Sequence, residues 1–205
     1  LEPAARALDA VNTVSWDDGK LVGSSTDGAG FVASLAETGV EVADAHIAVI
    51  GAGGAARSVI DALGRAGAAE ITVLNRTQDR AERAAALSGV ATVGIVSDVS
   101  RADIVVNATS VGMGVEPGDA TSVDMACDPS LLRVGQIVAD LVYSPLETAW
   151  MLAAVDAGAT TINGLGMLVH QAALQQERWL GYRPDVATMR AAATTELAVR
   201  RNTPR

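Results

Sequence analysis

Short apolar runs alternate along this chain with longer stretches whose apolar positions recur every three or four residues. His46-Ile47-Ala48-Val49-Ile50, Glu70-Ile71-Thr72-Val73-Leu74, Ile104-Val105-Val106, Gln136 to Leu141 and Thr160-Thr161-Ile162 read as strands, with a further short one near 91–96. The intervening segments 54–66, 77–88 and 148–157 carry helical periodicity, as do 166–180 and 185–200 in the tail. Strands alternating with helices predict an α/β fold, a parallel and doubly wound sheet. Ahead of this unit, Val11 to Trp16 and Lys20-Leu21-Val22 flank Asp17-Asp18-Gly19, which predicts a hairpin over 10–23. Ser24 to Gly30 reads as a polar loop, and Phe31 to Thr38 as a short helix ending at Gly39.

The run Val49-Ile50-Gly51-Ala52-Gly53-Gly54-Ala55-Ala56-Arg57 lies where the first strand of the alternating unit passes into its helix. Gly51 suits a tight turn, Gly53 a close backbone approach, and Ala56 a helix packed tightly on the strand. The helix N-terminus offers unpaired N–H groups and partial positive charge to a pyrophosphate. This is a Rossmann-like signature. The next strand ends in Asn75-Arg76-Thr77, with Arg80 one turn on, and no acid stands there to bond ribose hydroxyls. An arginine accepts a 2′-phosphate that a carboxylate would repel, so the pattern points to NADP rather than NAD.

Composition narrows the class. Hydrophobic residues make up 49% of 205 but aromatics only 3%, so the core must be built from Ala, Val, Leu and Ile, as in a helix-covered parallel sheet. A net charge of −9 argues against nucleic acid or an anionic membrane as partner. No apolar run reaches about 18 residues, the length that spans a bilayer. Cys127 is the only cysteine, which excludes an intrachain disulfide, reads as an inert thiol and suits a reducing, cytoplasmic setting. Lys20 is the only lysine among 15 basic residues, so lysine chemistry would have to use it.

Four polar clusters fall where strands end, the usual ligand side of an open α/β sheet. They are Asn12-Thr13 with Ser25-Thr26-Asp27-Gly28; Asn107 to Met113; Asp140 to Pro145; and Asn163 to Met167, which leads into a helix carrying Gln171. Met167 and Gln171 are four apart and share a helix face. With the glycine run and Asn75-Arg76-Thr77, these segments resemble the shikimate dehydrogenase family in order and spacing over nearly the whole chain.

The resemblance implies reduction of 3-dehydroshikimate to shikimate with NADP, in aromatic amino-acid biosynthesis, and a possible homodimer. It implies that Asn12 and Asp27 bond substrate hydroxyls, with Asp27 as half of a catalytic Lys–Asp pair. It implies that Tyr143 and Gln171 close over the substrate. Gly51, Ala52, Gly53, Gly54 and Ala55 would hold the pyrophosphate, and Asn75, Arg76, Thr77 and Arg80 the 2′-phosphate. Leu141, Gly164 and Met167 would border the nicotinamide. A polyhydroxylated ring acid does need amide and carboxylate partners, and ketone reduction needs a proton donor at the developing oxyanion.

Each residue also has a plainer reading. Asp27 suits a helix start, and Asn12 a turn. Tyr143 suits a half-buried sheet position, Gln171 a solvated helix face and Met167 the core. Asn107-Ala108-Thr109 either carries chemistry or only shapes a loop. His46 and His170 have no acid or metal-ligand spacing around them and receive no role. Ser25 stands where the family usually has Asn. Family members carry about 60 to 70 further upstream residues, the size of a small substrate domain, which hold the substrate-carboxylate serines and the catalytic lysine. Lys20, in the hairpin turn, is no evident replacement.

The expected organisation is a partial substrate domain at 1–26, an NADP-binding unit at 27–170, and returning helices at 171–205. Their apolar residues Leu180, Val186, Met189 and Leu197 are expected to be partly exposed and to favour self-association. Two other readings stand beside the leading one. A quinate/shikimate dehydrogenase would often use NAD. A non-catalytic NADP-binding module would be indifferent to Asp27.

Overall fold

A computed structural model describes residues 1–115 and 125–202. Helix α1 (Pro3–Leu8) precedes the antiparallel hairpin β1 (Thr13–Asp17) and β2 (Lys20–Ser24), whose register pairs Asp17 with Lys20 and Thr13 with Ser24. Helix α2 (Asp27–Glu37) leads into the alternating unit: β3 (His46–Ile50), α3 (Gly54–Arg65), β4 (Glu70–Leu74), α4 (Gln78–Ala85), β5 (Ala91–Val93), β6 (Ile104–Asn107), β7 (Ile137–Asp140), α5 (Ala149–Asp156) and β8 (Thr160–Ile162). Two long helices, α6 (Leu165–Leu180) and α7 (Val186–Asn202), close the described chain.

The six strands β3 to β8 form one parallel sheet in the order β5-β4-β3-β6-β7-β8. Strand order reverses between β3 and β6, so the connections leaving these neighbours go to opposite sides and open a crevice at their carboxyl ends. Side-chain alternation explains how the sheet is covered twice. In β3, Ile47 and Val49 enter the core formed with α2, α3 and Met167 of α6, whereas Ala48 and Ile50 enter a second core with Trp150 and Ala154 of α5. Ile104 and Val106 of β6 take the first side and Val105 the second. Strands buried on both faces read as continuous apolar runs, the signal by which the sequence marks them.

Three local expectations are corrected. Residues 27–30 are the first turn of α2 rather than loop: Gly28 and Gly30 are there because other helices cross them, not because the chain turns. A Cβ on Gly28 would lie 2.1 Å from the Ser58 carbonyl oxygen of α3, and one on Gly30 2.7 Å from the Gln171 backbone nitrogen of α6. The strand near 91–96 stops at Val93, because the Asp98 carboxylate accepts the Ile95 N–H at 2.9 Å and starts a 3₁₀ turn over Val96–Arg101. Helix α1 was not foreseen; its six residues are too few to show a periodic pattern.

The 170/171 boundary falls inside α6, whose middle joins two regions. Its first half buries Leu165, Met167 and Val169 with the sheet layer. Its second half reaches the hairpin: Trp179 Nε1 donates to the Val14 carbonyl at 2.9 Å and Arg178 Nε to Ser15 Oγ at 3.0 Å. Leu180 is 54% exposed, and Val14, Trp16, Leu21 and Tyr182 nearby are also exposed. Val186, Met189 and Leu197 are half-buried. Helix α7 is pinned by Arg190 to Glu37 of α2, which also meets His170 Nε2 at 2.9 Å.

Candidate active site: a glycine loop beside an amide–carboxylate cluster

Gly51 leaves β3 with φ 119°, and its N–H donates to the Leu74 carbonyl at 2.7 Å. A Cβ there would meet the Ala108 carbonyl oxygen at 2.7 Å, so both the backbone angle and the closeness of β6 require glycine. Gly53 caps α3 with no side-chain hydrogen bond, and a Cβ on it would meet nothing within 4 Å. The N–H groups of Gly54 to Ala56 therefore have no intrahelical partner, and the space beside Gly53 is open, which suits an anionic group brought close to the backbone. Ala56 is buried against the sheet, as its small side chain predicts.

At the end of β4, Asn75 folds its amide onto the Thr77 carbonyl at 2.9 Å. Arg76 and Arg80 are exposed and make no ion pair among the described residues. No side chain caps α4. These free guanidinium groups fit a phosphate monoester.

Asn12 is the centre of the second part. Its amide Nδ2 lies 2.6 Å from Asp27 Oδ1, 3.0 Å from Thr26 Oγ1 and 3.2 Å from Gln171 Oε1. Its Oδ1 accepts the Thr26 N–H at 3.0 Å and the Thr13 hydroxyl at 2.8 Å. Three distant segments thus converge on one side chain: the entry to β1, the start of α2 and the middle of α6. Thr26 Oγ1 also donates to the Gln171 carbonyl at 3.1 Å, and Gln175 Nε2 to Gln171 Oε1 at 2.7 Å.

Burial pushes the Asp27 carboxyl above the ordinary carboxylate value, and the hydrogen bond from Asn12 offsets part of that rise. A half-buried carboxyl so shifted suits proton traffic better than a solvated one.

Leu141 is partly buried at the end of β7. Gly164 is pressed so closely on it that a Cβ would lie 2.0 Å from the Leu141 carbonyl oxygen. Met167 is buried in the principal core. Tyr143 follows β7 and is 38% exposed. The cluster at Asn107 is structural. Asn107 Nδ2 donates to Asp140 Oδ1 at 2.9 Å, Asn107 Oδ1 accepts the Thr109 N–H and hydroxyl, and Thr148 donates to Asp140 Oδ2 at 2.8 Å. This buried network ties the ends of β6 and β7 together.

Sequence reasoning grouped Thr26 with Asn12 but gave it no role, and overlooked Gln175 as a member of the cluster. The signal for Gln175 was available, since it stands four residues after Gln171 on the same face. His170, given no role, meets an acid supplied by another helix rather than by its neighbours in sequence.

An open parallel sheet with a glycine-approached, uncapped helix defines a dinucleotide-binding α/β domain, and a polar cluster centred on Asn12 gathers where α2 meets α6. Comparison with known proteins makes this specific. The sequence family described as shikimate / quinate 5-dehydrogenase matches residues 34–116, and the shikimate 5'-dehydrogenase C-terminal domain matches 164–194. The chain is 44% identical to the NADP(+) shikimate dehydrogenase of Symbiobacterium thermophilum over 95% of its own length and 69% of the relative's. The corresponding figures for the NADP(+) shikimate dehydrogenase of Brucella abortus are 42%, 91% and 65%. A crystal structure of a shikimate dehydrogenase in complex with NADP+ superposes with a TM-score of 0.86 at 34% identity, covering 96% of this chain and 70% of that one. A Thermus thermophilus shikimate 5-dehydrogenase in complex with NADP(H) and shikimate gives 0.82 at 35%, with 95% and 71% covered. The chain belongs to the NADP-dependent shikimate dehydrogenase family and spans about two thirds of the length of the curated relatives it matches.

Proposed function

We propose that this chain binds NADP and takes part in the interconversion of 3-dehydroshikimate and shikimate. The observation that carries the reading is the convergence of Asn12, Asp27 and Gln171 within 3.2 Å of one amide nitrogen, on a fold whose glycine loop and arginines suit NADP. NADP, when bound, donates or accepts the hydride. The chain's residues do the rest. N–H groups from Gly53 to Ala55 receive the pyrophosphate, and Arg76 with Arg80 receives the 2′-phosphate. Leu141, Gly164 and Met167 offer an apolar border that excludes water from the nicotinamide. Asn12, Asp27 and Gln171 exchange their mutual hydrogen bonds for substrate hydroxyls, and Tyr143 covers them. Asp27 Oδ1, with its raised affinity for a proton, serves proton transfer at the reacting oxygen.

Lys20 starts β2, opposite Asp17, at the end of the hairpin remote from Asp27. Four residues of strand place it about 13 Å from Ser24, so it stands outside this cluster. In this reading residues 1–26 and 171–205 form the substrate side and 27–170 the NADP unit, held together through α6.

The test is shikimate-driven reduction of NADP+ by the 205-residue chain, followed by the absorbance of reduced nicotinamide, with calorimetric titration of NADP+ and shikimate alongside. Turnover establishes the enzyme. NADP+ binding without turnover supports a cofactor-binding domain that lacks an acid–base partner for Asp27. Absence of NADP+ binding overturns the reading. A quinate/shikimate dehydrogenase using NAD is the second reading, favoured by the family match and opposed by Arg76 and Arg80.

A further inference from the structure

We infer that Arg57 is a positioning residue that couples the glycine loop to the Asn12 segment, so that cofactor bound on one side steadies the substrate site on the other. The inference rests on the proposed function for what occupies each side, and on the following contacts for the link itself.

Arg57 stands in the first turn of α3, its N–H bonded to the Gly53 carbonyl. Its side chain leaves the sheet layer and reaches the end of α1. There Nη2 donates to the Asp9 carbonyl at 2.8 Å and stands 4.0 Å from the Asp9 carboxylate. Asp9 is the left-handed residue, φ 47°, that ends α1 and turns the chain towards Asn12. A non-glycine residue in that conformation persists only when its surroundings hold it. The next residue, Ala10, sits with its methyl 3.5 Å from where a Cβ of Gly54 would be, so the turn rests on the glycine loop itself. Two residues later Asn12 bonds its N–H to Ser24 and its amide to Asp27 and Gln171.

One feature marks this contact as more than surface decoration. Arg57 Nε is buried and has no partner among the described residues. Leaving a charged donor buried and unpaired is costly. The guanidinium is nonetheless held where its far end secures a backbone carbonyl of the α1 turn. A residue selected only for stability gains more from a fully satisfied pose. A residue that ties the turn before Asn12 to the start of α3 needs this reach.

The test uses amide hydrogen exchange on the whole chain, with and without saturating NADP+. In the unmodified chain NADP+ is expected to slow exchange at Ala10 and Asn12. In Arg57→Gln these amides exchange about tenfold faster, the effect of one charge-assisted hydrogen bond. They also cease to respond to NADP+, while NADP+ affinity stays within about twofold and α3 and β3 amides keep their rates. Arg57→Lys, which keeps the charge near Asp9, restores part of the response. Unchanged exchange at Ala10 and Asn12 in Arg57→Gln overturns the inference. So does an equal rise throughout α3 and β3, which would mark a general stabilising role. If NADP+ does not bind the unmodified chain, the cofactor reading fails separately. The ligand-free comparison then still decides whether Arg57 holds the Asn12 turn: faster exchange confined to Ala10 and Asn12 supports it, and no difference overturns it.

Discussion

The two halves of the site are built by opposite means. The glycine loop is a backbone device, Gly51 to Ala55, small residues that leave the backbone open to an anion. The Asn12 cluster is a side-chain device, with members 15 and 159 residues apart, held together only because α2 crosses α6 at Gly30. The loop tolerates change in its surroundings as long as β3 and α3 persist. The cluster depends on every helix crossing beneath it. The loop can therefore form from local sequence, while the Asn12 cluster is a tertiary property.

Asp27→Ala separates the halves most sharply. It removes the carboxylate from the cluster and leaves the loop intact. Any shikimate-dependent turnover should fall at least about 100-fold, as expected for loss of an acid–base group, with NADP+ affinity by calorimetry unchanged. Equal loss of both would dissolve the distinction between the halves.

Gly28→Ala attacks the scaffold that the cluster needs. Its methyl would lie 2.1 Å from the Ser58 carbonyl oxygen, which is backbone and cannot rotate away. Forcing α2 and α3 apart should cost roughly 3 kcal/mol in urea unfolding, and the Asn12–Asp27 pairing should loosen with it. Wild-type stability in this variant would show that the crossing is slack.

Arg76→Ala acts on the other half alone. Loss of a charge-assisted phosphate contact should raise the dissociation constant for NADP+ by about 10- to 100-fold and leave that for NAD+ nearly unchanged. A parallel loss for both cofactors would place Arg76 elsewhere than at the 2′-phosphate.

The smallest effect lies within the sheet itself, away from both halves. Asp140 is buried at the joint of β6 and β7, and burial pushes its carboxyl above the ordinary 3.8 despite hydrogen bonds from Val142, Thr148 and Asn107. Between 3.8 and the raised value the folded chain holds the proton and the unfolded chain releases it. Stability from this group therefore falls as pH rises through that window. Groups such as Glu37, held low by His170 and Arg190 against the opposing effect of burial, contribute in the other direction, stability being lost as pH falls. Asp140→Asn should remove only the first dependence. The difference in unfolding free energy between variant and unmodified chain should move in the variant's favour as pH rises from 4 to 7. A difference that does not vary with pH would mean that Asp140 titrates alike folded and unfolded.

Much of the nucleotide half was legible in the sequence. Strands β3, β4, β6 and β7 were legible because burial leaves largely apolar runs, and β8, half-exposed, from its β-branched Thr160-Thr161-Ile162. Gly51 was legible because its positive φ and the closeness of the Ala108 carbonyl demand glycine, and Gly53 because its place in the run marks a helix start. Gly28 and Gly30 were misread as loop residues: a glycine needed by a helix crossing looks, in sequence, like one needed by a turn. Asn107 was undecided until its partner Asp140, 33 residues on, came into view. Gln175 went unread although it stands four residues after Gln171 on the same helix face.

The sequence by itself determined the alternating α/β architecture, the anion-binding loop and the preference for a 2′-phosphate, because each is written in adjacent residues or in a short period. Only the tertiary structure decided which polar residues meet, that Asp27 is half-buried and shifted, and that Arg57 reaches from the cofactor loop to the turn before Asn12. Those facts depend on distances between segments far apart in the chain, and such distances are set by helix crossings that no local pattern encodes.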